Sequence, residues 1–257
     1  MSNPLPLPRR RGDKRTRIPP GVRVADTPIG EPLPDDPVRA GVRVFPMTLS
    51  PQPASGRPPF DAVLCDIDNV IRIYDPTPVT ALERAAGLAE GTVMKVAFAP
   101  ETVLPLLVGR ITPSEWAESV AGGLTGLVPE VTAFELANAL VDSPFHADET
   151  VVALLRGARA RNIRLILVSN ASVQLEADLE VLGLTDLADA VVSSARVGIA
   201  KPDPRIFGIA VEAAGVPAER CLFVDDTLEN VEAATALGIR AIHFREPEDL
   251  RRALGGV

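Results

Sequence analysis

The chain has 257 residues, a length that suits a single α/β domain with one insertion, and its 46% hydrophobic and 23% charged residues are typical of a soluble globular protein. The net charge of −8 argues against nucleic-acid binding, which needs a basic surface to neutralise phosphates. The charge is uneven. Residues 1–59 hold 14 of the 25 prolines and ten basic against five acidic residues, which leaves 16 basic and 29 acidic residues for the rest. We therefore expect a basic leader joined to an acidic folded region.

The hydrophobic segments and the cysteines indicate the cellular compartment of the protein. No apolar run approaches the roughly 20 residues of a membrane-spanning helix. The arginines at 9–11 are followed by prolines and charges rather than by the apolar segment of a secretory signal. Cys65 and Cys221 lie in apolar runs and are too few for a disulfide framework or a zinc site. These features predict a cytoplasmic protein with no membrane partner and no nucleic-acid partner.

Residues 1–59 show neither a helical nor a strand period. Proline removes backbone donors and the packable apolar content is low, so we expect this leader to be disordered or loosely draped. Phe45 and the valines near it are the residues that could dock locally. Met47 stands shortly before the first predicted strand. One hypothesis is that translation starts naturally at Met47 and that residues 1–46 come from a start assigned too far upstream. The intact mass of the native protein tests that hypothesis.

From Phe60 onward, short apolar runs alternate with helical periods. Five runs predict buried strands, at 62–65, 164–168, 190–192, 221–224 and 241–244. Apolar residues at helical spacing predict helices at 151–158, 175–182 and about 227–237. Strands that alternate with helices form a parallel sheet through right-handed crossovers. The predicted fold class is α/β, with a doubly wound, Rossmann-like parallel sheet.

About seventy residues between the first strand and the next helix contain no convincing strand. Thr112 and Thr132 each precede a glutamate by three residues, which is the pattern of a capping box, and Thr77–Pro78 marks a further helix start. These signals predict a small helical cap inserted after strand one. The predicted regions are a leader at 1–59, a core at 60–74 and 147–257, and a cap at 75–146.

Ligands of a doubly wound sheet bind beyond the carboxyl ends of its strands, so the residues that follow each strand are candidates for chemistry. Four such positions carry suitable polar groups, namely Asp66 with Asp68, Ser169 with Asn170, Lys201, and Asp225 with Asp226 and Asn230. Each group alone is more often a turn or a helix cap. Four carboxylates at one edge, however, repel one another unless a cation lies among them. Oxygen ligands favour Mg²⁺, and a lysine suits the binding of phosphate.

These segments, in their order and spacing, resemble the four motifs of the haloacid dehalogenase (HAD) superfamily. The matching segments are Asp66-Ile-Asp68-Asn69, Ser169-Asn170, Lys201-Pro-Asp-Pro and Asp225-Asp226-x-x-x-Asn230. The similarity covers residues 60–245. More narrowly, the pattern resembles the phosphatase branch of this superfamily that has a helical C1-type cap, similar to subfamily IA. The resemblance implies a hydrolase that cleaves phosphate esters through an aspartyl phosphate.

The resemblance also implies a role for each motif residue. Asp66 is the expected nucleophile, and Asp68 is the expected general acid and then general base. Mg²⁺ is expected on the Asp66 carboxylate, the Asp68 carbonyl and Asp226, with Asp225 as a further ligand or water anchor. The substrate phosphate is expected to be bound by Ser169, the backbone amide of Asn170 and Lys201. Asn230 is expected to orient either the acidic loop or Lys201.

Substrate choice is expected to lie in the cap and in the segment after strand one. Arg72 and Trp116 are the candidates for substrate specificity, although the spacing of Trp116 and Val120 also fits simple helix packing. Lys95 is either a solvated helix charge or a cap lysine of the kind with which phosphonate-cleaving relatives form an imine. Asp68 argues against the imine, because those relatives lack this second aspartate.

The leading hypothesis is a Mg²⁺-dependent phosphomonoester hydrolase that acts on a small phosphorylated metabolite, with a sugar phosphate as the expected class. The protein is expected to be a monomer or a homodimer. Asp68 favours phosphate chemistry over dehalogenation, since a halide leaves without a proton. One alternative is a phosphomutase of the β-phosphoglucomutase type, although Asn69 replaces the glycine usual there. The other is a catalytically silent HAD-like binding module, against which the intact motif set argues.

Overall fold

The computed structural model describes residues 42–44 and 59–255. The strands in these ranges are β1 (Val42–Val44), β2 (Ala62–Cys65), β3 (Arg72–Tyr74), β4 (Phe145–Ala147), β5 (Arg164–Ser169), β6 (Ala190–Ser193), β7 (Cys221–Asp225) and β8 (Arg240–His243). Five of them, β2 and β5 to β8, correspond to the five predicted runs within one residue or two at each end. The sequence prediction of these strands is confirmed.

The helices of the described ranges follow the same chain order. They are α1 (Thr77–Ala85), α2 (Thr92–Ala97), α3 (Pro100–Leu107), α4 (Pro113–Gly123), α5 (Glu130–Val141), α6 (Glu149–Ala160), α7 (Leu175–Val181), α8 (Ser194–Val197), α9 (Pro204–Ala214), α10 (Leu228–Ala236) and α11 (Pro247–Ala253). The helices predicted from apolar spacing are α6, α7 and α10, and all three are confirmed. In the part of the chain that the structure describes, none of the helices combines the length and hydrophobicity needed to cross a bilayer.

Six strands form one sheet in the order β1-β6-β5-β2-β7-β8. The last five of these are parallel to one another, and β1 is antiparallel to β6. Side chains of β2 alternate between two buried clusters, because successive residues of a strand point to opposite faces. Val63 and Cys65 join one cluster, and Ala62 and Leu64 join the other. Helices therefore cover both faces, and the α/β, Rossmann-like fold class is confirmed.

The strand β1 lies in the leader, which the sequence predicts to be disordered or loosely draped with the valines near Phe45 able to dock locally, and residues 42–44 show such local docking. Val42 pairs with Val192 in antiparallel register, so β1 covers the edge of β6. A bare strand edge leaves backbone donors and acceptors unpaired, and a short valine-rich segment can pair with it despite the surrounding prolines. The predictions for Phe45 and Met47 lie outside the described residues.

Five helices, α1 to α5, fill most of the segment that the sequence predicts as a cap. They enclose a hydrophobic cluster of their own, with Val93, Leu124 and Leu136 fully buried. The α4 helix begins as expected, because the Thr112 hydroxyl accepts a hydrogen bond from the Glu115 amide at 3.2 Å. The division into core and cap at the stated boundaries remains a prediction.

The second predicted capping box is wrong. The α5 helix begins at Glu130, with Pro129 in extended backbone before it, so Thr132 lies inside the first turn. Glu130 places a negative charge at the positive end of the helix dipole, and this favours a start three residues earlier than the threonine pattern predicts.

The cap segment is bounded by a two-stranded ladder that the sequence prediction missed. β3 and β4 pair antiparallel, with Arg72 opposite Ala147 and Tyr74 opposite Phe145. The rings of Tyr74 and Phe145 meet edge to face, with their centroids 5.6 Å apart. Each strand has three residues, which is too short for a recognisable period. The expectation of no strand in this region is therefore wrong at its two ends.

A buried glutamate supports the helical segment. Glu83, on α1, accepts hydrogen bonds from the Gly91 amide at 2.9 Å and the Val93 amide at 2.7 Å, and so satisfies donors at the start of α2. We expect Glu83→Ala to lower the free energy of unfolding by about 2 kcal/mol, because buried amides lose their acceptor. Urea unfolding measures this, with Glu83→Gln expected to lose less and the exposed Glu118→Ala close to unchanged. Equal stability of Glu83→Ala and Glu118→Ala would contradict the expectation.

Candidate active site

The sequence-predicted polar residues meet at the carboxyl edge of the sheet. β6, β5, β2 and β7 are neighbours in the sheet, and because they are parallel their carboxyl ends lie side by side. Asp66 directly follows β2, Ser169 ends β5 and Asp225 ends β7. Lys201 comes from the loop after β6 and α8. The structure thus brings together residues that are up to 159 positions apart in the chain.

A buried lysine lies between two carboxylates at the centre of this edge. The Lys201 ammonium is 2.8 Å from Asp66 Oδ1 and 2.7 Å from Asp225 Oδ2. All three side chains are buried, with Lys201 and Asp225 almost fully so. A buried charge is costly unless it is paired, so this arrangement holds each of the three groups in place through the other two.

The same burial changes the proton affinity of these groups. Burial raises the pKa of Asp66 to about 8, and the Asp225 and Asp68 charges act in the same direction against the opposing charge of Lys201. Burial lowers the pKa of Lys201, but the two aspartates outweigh burial and the net direction is upward. Lys201 is therefore a fixed positive charge at neutral pH. Asp66 would ionise more readily with a further cation beside it.

Asn230 orients Asp225 rather than Lys201. Its side-chain amide donates to Asp225 Oδ1 at 3.0 Å and to Oδ2 at 3.2 Å. Asp225 Oδ1 also accepts the backbone amide of Thr227 at 2.8 Å. With Lys201 on Oδ2, both oxygens of Asp225 are occupied. The sequence prediction offered Asn230 either the acidic loop or Lys201, and the contacts favour the first.

Asp226 is more exposed to solvent than its neighbour Asp225. It is partly exposed, and its Oδ2 accepts the side-chain amide of Asn69 at 3.0 Å. Its backbone carbonyl lies 2.8 Å from Nε2 of His243 on the neighbouring strand. Asn69 has a left-handed backbone, with φ of 59°, which asparagine tolerates better than most residues. Neither of these two contacts of Asp226 was predicted from the sequence.

Within residues 42–44 and 59–255, three carboxylates form a group that could hold a metal ion. One oxygen each of Asp66, Asp225 and Asp226 lie within 4.8 Å of one another. Asp226 is partly exposed and the other two are buried, and a small group of oxygen donors open to solvent on one side suits Mg²⁺, which keeps several waters and binds few carboxylates. The raised pKa of Asp66 also favours a cation site, because a buried carboxylate beside other carboxylates ionises more easily when a cation is bound next to it. The residues present therefore fit Mg²⁺.

The Ser169 and Asn170 segment lies against the Lys201 loop. The Asn170 side chain donates to the Lys201 carbonyl at 2.9 Å and accepts from the Lys201 amide at 2.7 Å, so the two loops are joined by a reciprocal pair of hydrogen bonds. The Ser169 hydroxyl is fully buried and has no hydrogen-bond partner within the described residues. Buried polar groups are nearly always paired, so this hydroxyl is a donor available to a bound group or to a water molecule.

Asp68 is held by an arginine that sequence analysis assigned to substrate choice. Arg72 Nε donates to Asp68 Oδ1 at 2.6 Å and Arg72 Nη2 donates to Oδ2 at 3.1 Å. Arg72 Nη1 donates to Asp178 Oδ2, on α7, at 2.6 Å. The guanidinium is buried and already serves two carboxylates. A specificity role for Arg72 remains a prediction without a contact to support it.

The cap residues named from the sequence are not brought to the acidic edge by their contacts. Trp116 is buried among the cap helices, where its indole nitrogen donates to the Ala97 carbonyl at 3.3 Å and its ring meets Phe98 edge to face. These contacts fit the helix-packing interpretation. Lys95 is exposed on α2, which fits a solvated charge.

Comparison with known proteins identifies the family. A model of the haloacid dehalogenase-like hydrolase family matches residues 60–238. The chain belongs to this family. The match begins just before β2, ends after α10 and includes every motif residue described above. The resemblance inferred from four short motifs is thereby confirmed.

Several known proteins are similar to this HAD-like hydrolase. A phosphatase of Mycobacterium tuberculosis is 42% identical over 89 residues, which are 34% of this chain and 41% of that protein. The phosphoserine phosphatase of Thermus thermophilus is 38% identical over 92 residues, which are 35% of this chain and 37% of that protein. The chain thus spans about two fifths of the length of these two curated relatives.

Solved structures share the fold of this HAD-like hydrolase. A HAD family enzyme of Bacteroides thetaiotaomicron has a TM-score of 0.59 and 20% identity, covering 75% of this chain and 97% of that one. A second structure of that enzyme, solved as a complex with magnesium and inorganic phosphate, has a TM-score of 0.56. At this identity the likeness concerns the fold alone.

Proposed function

We propose that the chain is a Mg²⁺-dependent phosphomonoester hydrolase that acts on a small phosphorylated metabolite, with a sugar phosphate as the expected class. The observation that carries the proposal is the position of Lys201, whose ammonium lies 2.8 Å from Asp66 Oδ1 at the sheet edge where β5 ends in Ser169, a buried residue whose hydroxyl has no partner within the described residues. A carboxylate, a fixed positive charge and a free hydroxyl donor at one strand edge suit nucleophilic attack on a phosphate group.

The first half of the reaction transfers the phosphoryl group to Asp66. An Asp66 carboxylate oxygen attacks phosphorus and forms the new oxygen–phosphorus bond. The ester bond between phosphorus and the leaving oxygen breaks, and its electron pair stays on that oxygen. Asp68 gives the leaving oxygen a proton, so the alcohol departs neutral. The products of this half are an aspartyl phosphate at Asp66 and an ionised Asp68.

The second half releases inorganic phosphate. Asp68 takes a proton from a water molecule, whose oxygen attacks phosphorus. The bond between phosphorus and the Asp66 oxygen breaks, and the electron pair returns to the Asp66 carboxylate. Both aspartates are then in their starting states. One residue serves as acid and then as base, because it stands beside the same oxygen position in both halves.

The phosphoryl oxygens are bound by donors from two loops. Lys201 supplies its ammonium, Ser169 its hydroxyl and Asn170 its backbone amide. The reciprocal bonds between Asn170 and Lys201 fix these donors relative to one another. Donors that are already in place stabilise the charge of the transition state without rearrangement.

Asp66, Asp226 and the Asp68 backbone carbonyl would hold Mg²⁺, with Asp225 as a further ligand or an anchor for bound water. When bound, the ion reduces the repulsion between the carboxylate nucleophile and the anionic phosphate. The contacts of Asp225 with Lys201 and Asn230 favour the anchoring role, whereas Asp226 has an oxygen free of strong contacts within the described residues. Names of similar proteins support phosphate as the substrate group, since two of those described above are phosphatases.

A panel of phosphate monoesters, assayed with Mg²⁺ and with a chelator, tests the proposal. We expect phosphate release that depends on Mg²⁺, with greater activity on small sugar phosphates than on polymers. Isomerisation of a sugar phosphate without phosphate release would favour the phosphomutase alternative. Binding of Mg²⁺ with no turnover of any ester would favour the silent binding module.

Asn69 offers a prediction about metal binding. We expect Asn69→Gly to weaken Mg²⁺ affinity by about tenfold, because loss of the amide frees Asp226 while glycine keeps the left-handed backbone. Calorimetric titration of the purified protein with Mg²⁺ measures the change. Asn162→Gly is the matched control, since Asn162 also has a positive φ, of 60°, and lies before β5 at the other end of the sheet. Equal affinity in both variants would show that the Asn69 amide does not organise the site.

A further inference from the structure

We propose that Arg72 is a positioning residue that fixes the carboxylate of Asp68 for its acid and base roles. The proposal rests on the proposed function, because it assigns a partner to the residue named there as acid and base. It differs from the sequence-based expectation, which gave Arg72 a role in substrate choice.

The local backbone places Arg72 beside Asp68. The Arg72 amide donates to the Ile67 carbonyl at 2.8 Å, and the Asn69 amide donates to the Arg72 carbonyl at 2.9 Å. The chain therefore folds back on itself directly after Asp66. Asp68 and Arg72, four residues apart, face each other through this turn, so their pairing needs no long-range rearrangement.

The geometry of the pair is that of a two-pronged clamp. Nε and Nη2 of Arg72 each donate to a different oxygen of Asp68, at 2.6 and 3.1 Å. A planar guanidinium that binds both oxygens fixes the plane of the carboxylate as well as its position. Each carboxylate oxygen has a second lone pair, so the clamp leaves an oxygen able to exchange a proton with substrate or water.

The guanidinium is itself fixed on its remaining sides. Nη1 is bound by Asp178 of α7 at 2.6 Å. The rings of Tyr74 and Phe145 lie 5.0 and 5.5 Å from the guanidinium carbon, at cation–π distance. Arg72 also belongs to β3, which pairs with β4. The Arg72–Asp68 pair is thus connected to α7, which follows Ser169 in the chain, and to the β3–β4 ladder that bounds the cap segment.

The effect of an Arg72 substitution on kcat/KM for esters with different leaving groups separates positioning of Asp68 from general support of the fold. An alkyl ester such as a hexose phosphate needs a proton on its leaving oxygen, whereas the nitrophenolate of p-nitrophenyl phosphate leaves without one. The value of kcat/KM reports the steps up to release of the leaving group. Loss of a well-placed acid should therefore lower kcat/KM far more for the alkyl ester.

We expect Arg72→Met to lower kcat/KM about 10- to 100-fold for the hexose phosphate and only slightly for p-nitrophenyl phosphate. Asp68→Asn should show the same preference more strongly, and Arg72→Met should add little in the Asp68→Asn background, because the two residues act as one unit. Arg72→Lys keeps a positive charge without the two-pronged geometry and should recover part of the loss. Thermal unfolding accompanies each assay.

Arg220→Met is the matched control. Arg220 also binds an aspartate through two nitrogens, Asp61 at 2.8 Å for each, but at the opposite ends of β2 and β7. We expect it to leave the ratio of the two kcat/KM values unchanged. If Arg72→Met lowers both values equally while Asp68→Asn keeps its preference, the positioning role is wrong and the proposed function stands. If Asp68→Asn shows no preference, both the acid role in the proposed function and this inference fail.

Discussion

Replacing Asp66 with asparagine should reduce phosphate release by about 10⁴-fold or more, because the amide cannot form the covalent intermediate on which both half-reactions depend. Asparagine has nearly the same shape, and it removes a carboxylate that is costly to ionise in its buried position. Asp66→Asn should therefore keep its fold, and its thermal unfolding midpoint should be equal to or above that of the unaltered protein. Steady-state phosphate release and circular dichroism measure the two effects.

Asp61→Asn is the matched control for this variant. Asp61 directly precedes β2, whereas Asp66 directly follows it, so the two substitutions change the same strand at opposite ends. The control should retain its activity even if it loses some stability with its Arg220 contact. Activity in Asp66→Asn within a few-fold of that in Asp61→Asn would rule out Asp66 as the nucleophile.

Replacing Lys201 with methionine should have the second-largest effect. We expect kcat/KM to fall about 10²- to 10³-fold, because a fixed donor to the transferring phosphoryl group is lost. We also expect a loss of about 3 kcal/mol of unfolding free energy, since Asp66 and Asp225 lose the buried charge that they share. Ester hydrolysis and urea unfolding measure the two consequences in the same preparation.

A second substitution separates these two consequences of Lys201→Met. Adding Asp225→Asn removes one of the two unpaired carboxylates and should restore part of the stability, yet it should restore no activity. Lys95→Met changes an exposed lysine of the cap segment and should leave both quantities unchanged. Recovery of activity along with stability in the double variant would mean that Lys201 supports the fold and does not bind the phosphoryl group.

Much of the site could be predicted because of the topology. β2, β5, β6 and β7 are short apolar runs in the sequence, and parallel strands must end at one edge of the sheet. Asp66 and Asp225 each stand at the end of such a run, so their meeting follows from the alternation of strands and helices. Lys201 also follows a predicted strand, but it lies in a loop beyond α8, so its distance from the two aspartates could not be predicted from the strand ends.

The contacts that were missed depend on pairings without a sequence period. Arg72 and Asp178 are 106 residues apart, and neither belongs to a repeating pattern that predicts their contact. β1 has three residues, too few for a recognisable period, and it pairs with β6 at the edge of the sheet. Asn69 carried a usable signal, since an asparagine after a strand favours a left-handed turn. Its contact with Asp226 still required the fold to bring the two loops together.

Rapid acid quenching followed by peptide mass spectrometry detects a phosphoryl group on Asp66 itself. The protein is mixed with Mg²⁺ and p-nitrophenyl phosphate, stopped within the first turnovers and digested. Our account predicts a peptide that contains Asp66 and carries the mass of one phosphoryl group, with the group lost on treatment with hydroxylamine and absent from Asp66→Asn. Steady phosphate release without a phosphorylated Asp66 peptide, or with the phosphoryl group on another residue, would contradict it.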